Sequence, residues 1–295
     1  MPLRIRNRSI DRRRALAALA LAAACRPARA LLTANGSALR FGTTPVFLDD
    51  QIALLGVWQR YLEDSLQRPV VFVQRGSYRE IIDLVLSDRV DVAWICGYPF
   101  VVYAEQMRLV AVPTYLGHPL YQSYLIVPER DRATRHIVDL GGAVFAYSDP
   151  LSNSGFLVPR TELIRAGLRP ETFFRRTFFT FGHRKVVQAV QAGLAAGGAV
   201  DGYVWDTLVK QHPDAAAGVR VAWRSERFGF PPVVARASLA ADERAAVARA
   251  LLQMRRSAAG TLLLERLNID GFEAGAPSLF DGIRGLVGIA GAPTR

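Results

Sequence analysis

The chain has 295 residues, 51% of them hydrophobic and 21% charged, with a formal charge of +11. It is too apolar for a disordered polypeptide and long enough for two ordinary cores or one large one. Residues 1–30 hold eight arginines and one aspartate, so they carry +7 of that charge and leave +4 on everything beyond Ala30. The rest has only two lysines, Lys185 and Lys210, and no basic block interleaved with aromatics, which argues against nucleic acid as a partner.

The first thirty residues read as an address. Arg4, Arg6, Arg8 and Arg12 to Arg14 precede an apolar run from Ala15 to Ala24, and Ala28-Arg29-Ala30 supplies a small-x-small cleavage site. Ten apolar residues are too few to cross a bilayer as a helix. Residues 1–30 are therefore expected to be a signal peptide, with Arg12-Arg13-Arg14 resembling a twin-arginine signal. Cleavage near Ala30 would leave an exported, periplasmic protein beginning near Leu31, and a lipid anchor at Cys25 is the alternative.

Beyond Ala38 short β-rich runs alternate with helical patterns, as in an α/β fold. Strands are expected at 41–44, 70–73 and 90–95, with a helix between the first two that places Leu55, Trp58, Leu62 and Leu66 on one face. A second helix opens at Gly76-Ser77-Tyr78-Arg79 and carries Ile81, Ile82 and Val85. A strand-like run at 124–127 leads to a second copy of the plan. That copy has a strand at 143–147, the polar turn Asp149 to Gly155 and a helix through Leu163 and Ile164. A strand at 177–181, a helix opening at Gly182-His183-Arg184-Lys185 and a strand at 200–205 complete it. The chain then returns through a strand at 219–223 and through 229–234. A helix follows at 242–256, packed on the first lobe, and the tail with Gly282, Gly285, Gly288 and Gly291 reads as loosening. The expected lobes are 31–126 with 233–295, and 127–232.

Chemistry concentrates at the turns that open helices. The first N–H groups of a helix have no partner within it and carry the positive end of its dipole, which makes a ready anion site. Asp149-Pro150-Leu151-Ser152-Asn153-Ser154-Gly155 is such a turn, with donors on Ser152, Asn153 and Ser154 and, at Gly155, an amide that can approach a ligand closely. The competing reading makes one serine a helix cap and leaves the others in water. His183 opens the next helix of the same lobe, and Tyr78 stands at the equivalent opening in the first. Cys96, in Trp94-Ile95-Cys96-Gly97-Tyr98-Pro99, follows a strand at the expected cleft edge. It reads as a small buried hydrophobe or as a soft ligand position suited to trivalent arsenic.

Two cysteines exclude a disulfide framework and a four-ligand zinc site. The sequence contains no C-x-x-C, H-E-x-x-H, G-x-x-x-x-G-K-[ST] or G-x-S-x-G. Nothing assembles a nucleophile with an oriented base, so neither an enzyme nor a metal or cofactor is expected.

The run Asp149-Pro150-x-Ser152-x-Ser154-Gly155-Phe156-Leu157-Val158-Pro159, followed by Gly182-His183 and Val200-Asp201, resembles the PhnD-like periplasmic phosphonate/phosphite/phosphate-binding proteins of ABC transporters, over about residues 39–287. The resemblance implies the type II periplasmic binding protein fold, two α/β lobes joined by two crossover strands and closing on a ligand by a hinge. It also implies an oxyanion cradle of Ser152, Asn153 and Ser154 with His183, faced by Tyr78 and Tyr121; Gly155 of the turn and Tyr98 and Cys96 at the expected cleft edge are further candidate ligand contacts. Asn153 stands where the family usually has threonine. The acid expected near the return crossing for an aminoalkyl ligand is absent from Phe228-Gly229-Phe230-Pro231-Pro232, and Asp206 is the nearest alternative. The implied ligand is therefore an inorganic oxyanion or a differently substituted organophosphorus compound. The implied role is delivery to an ABC permease by a monomer, with input to a sensor kinase as the second possibility.

Overall fold

The computed structural model describes residues 37–45 and 52–291; the expected signal peptide, with Cys25, lies outside them. The first half of the chain runs β1 (Leu39–Thr43), α1 (Ile52–Leu66), β2 (Val70–Gln74), α2 (Tyr78–Leu86), β3 (Val92–Trp94), α3 (Gly97–Val102), β4 (Met107–Thr114) and β5 (Leu120–Pro128). The second copy follows as β6 (Val144–Tyr147), α4 (Val158–Arg165), α5 (Pro170–Phe173), β7 (Arg176–Phe179), α6 (His183–Gln191), β8 (Gly197–Asp201) and α7 (Gly202–Gln211). The return comprises α8 (Pro213–Ala216), β9 (Val219–Gly229), β10 (Val233–Arg236), α9 (Ala241–Leu252), α10 (Ala258–Leu267), β11 (Gly271–Glu273) and α11 (Asp281–Ala290).

These strands form two sheets. The first has the order β11-β4-β10-β3-β1-β2 and the second β7-β6-β8-β5-β9. In each, three strands of the repeated unit are parallel, β2-β1-β3 and β7-β6-β8, while their other neighbours run antiparallel. Parallel strands must be connected by crossovers, and here the helices between them supply these, with their N-termini at the carboxyl ends of the strands. Every turn picked out from the sequence therefore lies at one edge of one of the two sheets.

The expected helical face of α1 is apolar because it packs on the first sheet. Trp58 and Leu62 are fully buried, and Trp58 meets Phe41, Phe72 and Trp94 with ring centroids 5.4, 5.4 and 5.7 Å away. Each such side chain contributes roughly 1.5–3 kcal/mol of burial free energy. Leu151, Leu157 and Val158 from the serine-turn region join this same core, so the second half of the molecule is packed on the first through apolar contact.

The structure changes four expectations. The run 200–205 is not one strand: β8 stops at Asp201, whose carboxylate caps α7 by accepting from the Tyr203 and Val204 amides. The strand expected at 177–181 stops at Phe179, before Phe181 enters the left-handed region with φ 54°. The glycine-rich tail is the helix α11. Its glycines at 285 and 288 face open space, while Ile283 and Leu286 are buried, and Ile283 comes within 2.6 Å of where a Cβ on Gly97 would stand. Finally, β5 hydrogen-bonds along its whole length with β8 and β9, so residues 120–126 belong to the second sheet. The chain passes between sheets just before Leu120 and just after Gly229. Phe230 donates its amide to Pro119 there, so the two passages lie side by side.

One buried ion group ties the first sheet together. The Asp91 carboxylate accepts from the Arg40 backbone amide and guanidinium and from Arg236, linking β1, the start of β3 and β10. Burial raises the pKa of Asp91, but the hydrogen bonds from the two arginines outweigh it and hold the pKa below the ordinary value. This stabilisation is present above the unfolded carboxylate's pKa and is lost as pH falls through the folded one. Both arginines are partly exposed, so Asp91→Ala is expected to cost about 2 kcal/mol, less than a fully buried pair. Urea unfolding at pH 7 measures that cost, and the difference from wild type should shrink toward pH 3.

Candidate functional site

The serine turn begins where β6 ends. Asp149 turns the chain by accepting the Leu151 amide on Oδ1 (2.8 Å) and, from α2 of the other sheet, the Tyr78 amide on Oδ2 (3.1 Å). Ser152 then caps the next helical turn, its Oγ accepting the Gly155 amide at 2.9 Å. Residues 153–157 wind as one π-helical turn into α4. The Gly155 amide is thus taken by the cap and is not free for a ligand. Glycine is required at this position for a different reason, since a Cβ there would stand 1.9 Å from Ser148 Oγ.

Both readings of this turn contain part of the answer. Ser152 is the cap, yet Asn153 and Ser154 do not face water, being 0% and 1% exposed. The Asn153 amide donates to Cys96 Sγ (3.3 Å), and its side-chain Nδ2 donates to the Tyr121 hydroxyl (3.0 Å). Asn153 Oδ1, Ser154 Oγ, Ser148 Oγ and Thr43 Oγ1 are buried without a hydrogen-bond partner. An unmet buried polar atom costs about 1–3 kcal/mol, and folded proteins hold few of them.

A second hydrogen-bonded chain closes over the turn from the other side. His183, first residue of α6, accepts the Asp201 amide on Nδ1 (3.1 Å), and its Nε2 lies 3.2 Å from the Tyr78 hydroxyl. Burial pushes the imidazole pKa down to about 3, so the ring is neutral. With Nδ1 an acceptor, the single ring proton sits on Nε2 and is donated to Tyr78. The phenolic proton of Tyr78 is therefore free for another acceptor. Burial drives the Tyr78 and Tyr121 phenols well above their ordinary pKa, which keeps both as O–H donors. The Cys96 thiol is pushed up to about 11 by burial and is engaged with the Asn153 amide.

Of the ten residues expected at the site, Asn153 joins Cys96 and Tyr121, Ser152 joins Gly155, and Tyr78 joins His183, while the Ser154 hydroxyl makes no such contact. Tyr98 lines a cavity of about 570 Å³ that Asp149 also lines. Asp206 instead accepts from the Tyr115 and Tyr124 hydroxyls at 3.2 Å each, in a separate recess along α7. Reading the sequence missed Thr43, Ser148, Asp149 and Asp201 as site groups. For Asp201 the signal was present: an acid directly before a helical stretch is a cap signature. Among the described residues no group of three or more His, Cys, Asp or Glu could hold a metal ion.

Two carboxylates thus border a site built from neutral donors. Burial raises the pKa of Asp149, and it pushes Asp201 up to about 8 against the two amides that favour its charge. An acid whose folded pKa lies above its unfolded value of about 3.9 lowers stability as pH rises through that interval. Asp201→Asn keeps an oxygen for the cap and removes the titration. Its Tm is expected to fall less than that of wild type between pH 5 and pH 8.5. An unchanged slope in a thermal-denaturation series would remove Asp201 as the titrating group.

Similarity to known proteins fits this geometry. The sequence model of a family described as "ABC transporter, phosphonate, periplasmic substrate-binding protein" matches residues 41–280. The chain is 26% identical over 250 residues to the phosphonates-binding periplasmic protein of Escherichia coli, covering 80% of this chain and 72% of that one. It is 27% identical over 179 residues to the phosphate-import protein PhnD of Mycolicibacterium smegmatis. That match takes in 57% of this chain and only 56% of the mycobacterial protein. Among solved structures, PhnD1 of Prochlorococcus marinus in complex with methylphosphonate superposes with a TM-score of 0.75 at 17% identity, covering 85% of this chain and 97% of that one. The fold is that of the type II periplasmic binding proteins.

Proposed function

The chain belongs to the family of periplasmic substrate-binding proteins of phosphonate ABC transporters, and on that footing we propose that it captures a small phosphonate-, phosphite- or phosphate-like oxyanion between its two sheets and delivers it to the permease. The family places its members in the periplasm, and the Arg-rich leader is read as the signal that takes this one there. The observation that carries the ligand assignment is the set of buried, unpartnered polar atoms, Thr43 Oγ1, Asn153 Oδ1 and Ser154 Oγ, beside donors that no protein group uses up.

The proposed cradle works by counting hydrogen bonds. Hydroxyls of Ser154 and Thr43 and the spare proton of Tyr78 are donors to phosphoryl oxygens. The first amides of α6, which has no side-chain cap, add the positive end of a helix. Asn153 Oδ1 can only accept, so it asks the ligand for a proton, which a monoprotonated phosphoryl group carries on P–OH and a fully ionised one lacks. The proposed jaws are the halves carrying the first sheet (β1 to β4, β10 and β11) and the second (β5 to β9), turning at the adjacent passages before Leu120 and after Gly229. Contacts across the cleft, Tyr78 to Asp149 and Tyr78 to His183, hold the closed arrangement.

Methylphosphonate at about a hundred times its dissociation constant adds roughly 2.7 kcal/mol to the stability of the folded form, which is expected as an upward shift in Tm in a thermal-shift titration. Ser154→Ala is expected to weaken calorimetric affinity for methylphosphonate by about tenfold to a hundredfold, since a donor to a charged oxygen contributes roughly 1.5–3 kcal/mol. The variant should leave the unliganded Tm near that of wild type, because its Oγ serves no protein group. Absence of any shift with methylphosphonate, phosphite and phosphate alike would refute the assignment.

A further inference from the structure

We propose that the cavity of about 570 Å³ beside the serine turn is a second binding site, and that its ligand class is an aromatic anion such as an aryl carboxylate. The cavity is lined from both halves of the molecule: Arg79 and Tyr98 come from α2 and α3, Phe156 and Arg160 from the serine-turn end of α4, and Phe179 and Phe181 from the end of β7. Its volume falls within the range of sites that enclose small organic ligands. Asp149, held by the Tyr78 and Leu151 amides, is in the lining, while Thr43, Asn153, Ser154 and His183 of the proposed oxyanion cradle are not.

Three observations point to an occupant. Tyr98, 1% exposed as a residue, brings a phenol to the cavity lining. Phe181 is 41% exposed and held with φ 54°, a conformation uncommon for a bulky side chain. Unfavourable backbone and exposed aromatic surface thus coincide at the cavity wall, where strain is characteristic of ligand-contacting positions. Phe181 also continues a row of rings, with Phe179 centroids 6.3 Å from Phe181 and 5.3 Å from Phe156, which offers faces and edges to a further ring.

The charge of the occupant follows from the arginines. Arg160 gives one nitrogen to the exposed Glu171 and lies over the Phe156 ring, and Arg79 gives one nitrogen to the Tyr103 hydroxyl and pairs at 3.9 Å with the exposed Asp83 carboxylate. Each guanidinium has five N–H donors in a planar fork, so both keep donors for a carboxylate. Asp149 is the only acid in the lining, and its carboxylate already accepts two amides. A neutral hydrocarbon would leave these donors unmet. An aromatic carboxylate answers the rings, the guanidinia and the phenol together.

The test is isothermal titration calorimetry of the whole protein with 1-naphthoate. Saturable binding is expected, with 1-naphthylmethanol binding at least tenfold more weakly. Tyr98→Phe, Arg160→Gln and Phe181→Ala are each expected to weaken naphthoate at least tenfold. Arg160→Gln and Phe181→Ala should keep the wild-type thermal shift with methylphosphonate, which separates this site from the oxyanion cradle. Absence of naphthoate binding at millimolar concentration, or equal binding by wild type and all three variants, would overturn the proposal. So would an Arg160→Gln protein that loses naphthoate and methylphosphonate binding together.

Discussion

One uncharged chain of hydrogen bonds runs from the Asp201 amide through the neutral His183 ring to the Tyr78 hydroxyl. It joins the end of β8 in one sheet to the start of α2 in the other. Protonating the ring would require a cation in a fully buried place, which is why burial drives its pKa down to about 3. The chain is also directional. The Asp201 amide fixes the tautomer, the tautomer fixes what Tyr78 must accept, and that leaves the phenolic proton pointing elsewhere. In the proposed cradle, a donor for the ligand is thereby prepared by a residue that need not touch it.

The two copies of the β-α-β-α-β plan face each other, and equivalent positions have become partners. Tyr78 and His183 each begin the helix after the second strand of their copy, and they meet across the cleft. Cys96 and Asp201 each precede the helix after the third strand. One accepts the Asn153 amide and the other caps its own helix. Asp91 and Asp201 each follow a valine, but the two acids lie at opposite ends of their strands: Asp91 binds Arg40 and Arg236 at the start of β3, whereas Asp201 closes β8.

This pattern explains what the sequence could and could not show. The periodicity of Leu55, Trp58 and Leu62 revealed α1 because a helix lying on a sheet buries one stripe, and the turn residues revealed the strand ends because loops there need capping groups. Helix α11 escaped notice because glycines disguise it; its apolar residue Ile283 faces Gly97. Strand β4 escaped because it is bounded by no glycine cluster at its start and is read only through its pairing with β10 and β11. At the site, residue types identified the donors but not their assignments. Ser152 and Ser154 are two residues apart with the same hydroxyl, and only the π-helical turn decides that one caps a backbone amide while the other is left unmet.

Among the described residues, the hydrogen bonds of Asn153, Tyr78 and His183 involve neutral groups and Asp149, which in the proposed cradle bears on selectivity. A buried guanidinium would favour every anion of suitable size through its charge, and the field it creates differs little between one oxyanion and another. Neutral donors and an amide oxygen have fixed directions and fixed roles, so each unmet atom penalises a ligand that lacks the matching proton or lone pair. Asp149 and Asp201 reinforce this: their burial raises their pKa and makes a negative neighbour harder to accommodate once they ionise. In the proposed cradle, discrimination comes from matching donors to acceptors atom by atom, and the attraction of charge is left to helix ends, which are weaker and less selective.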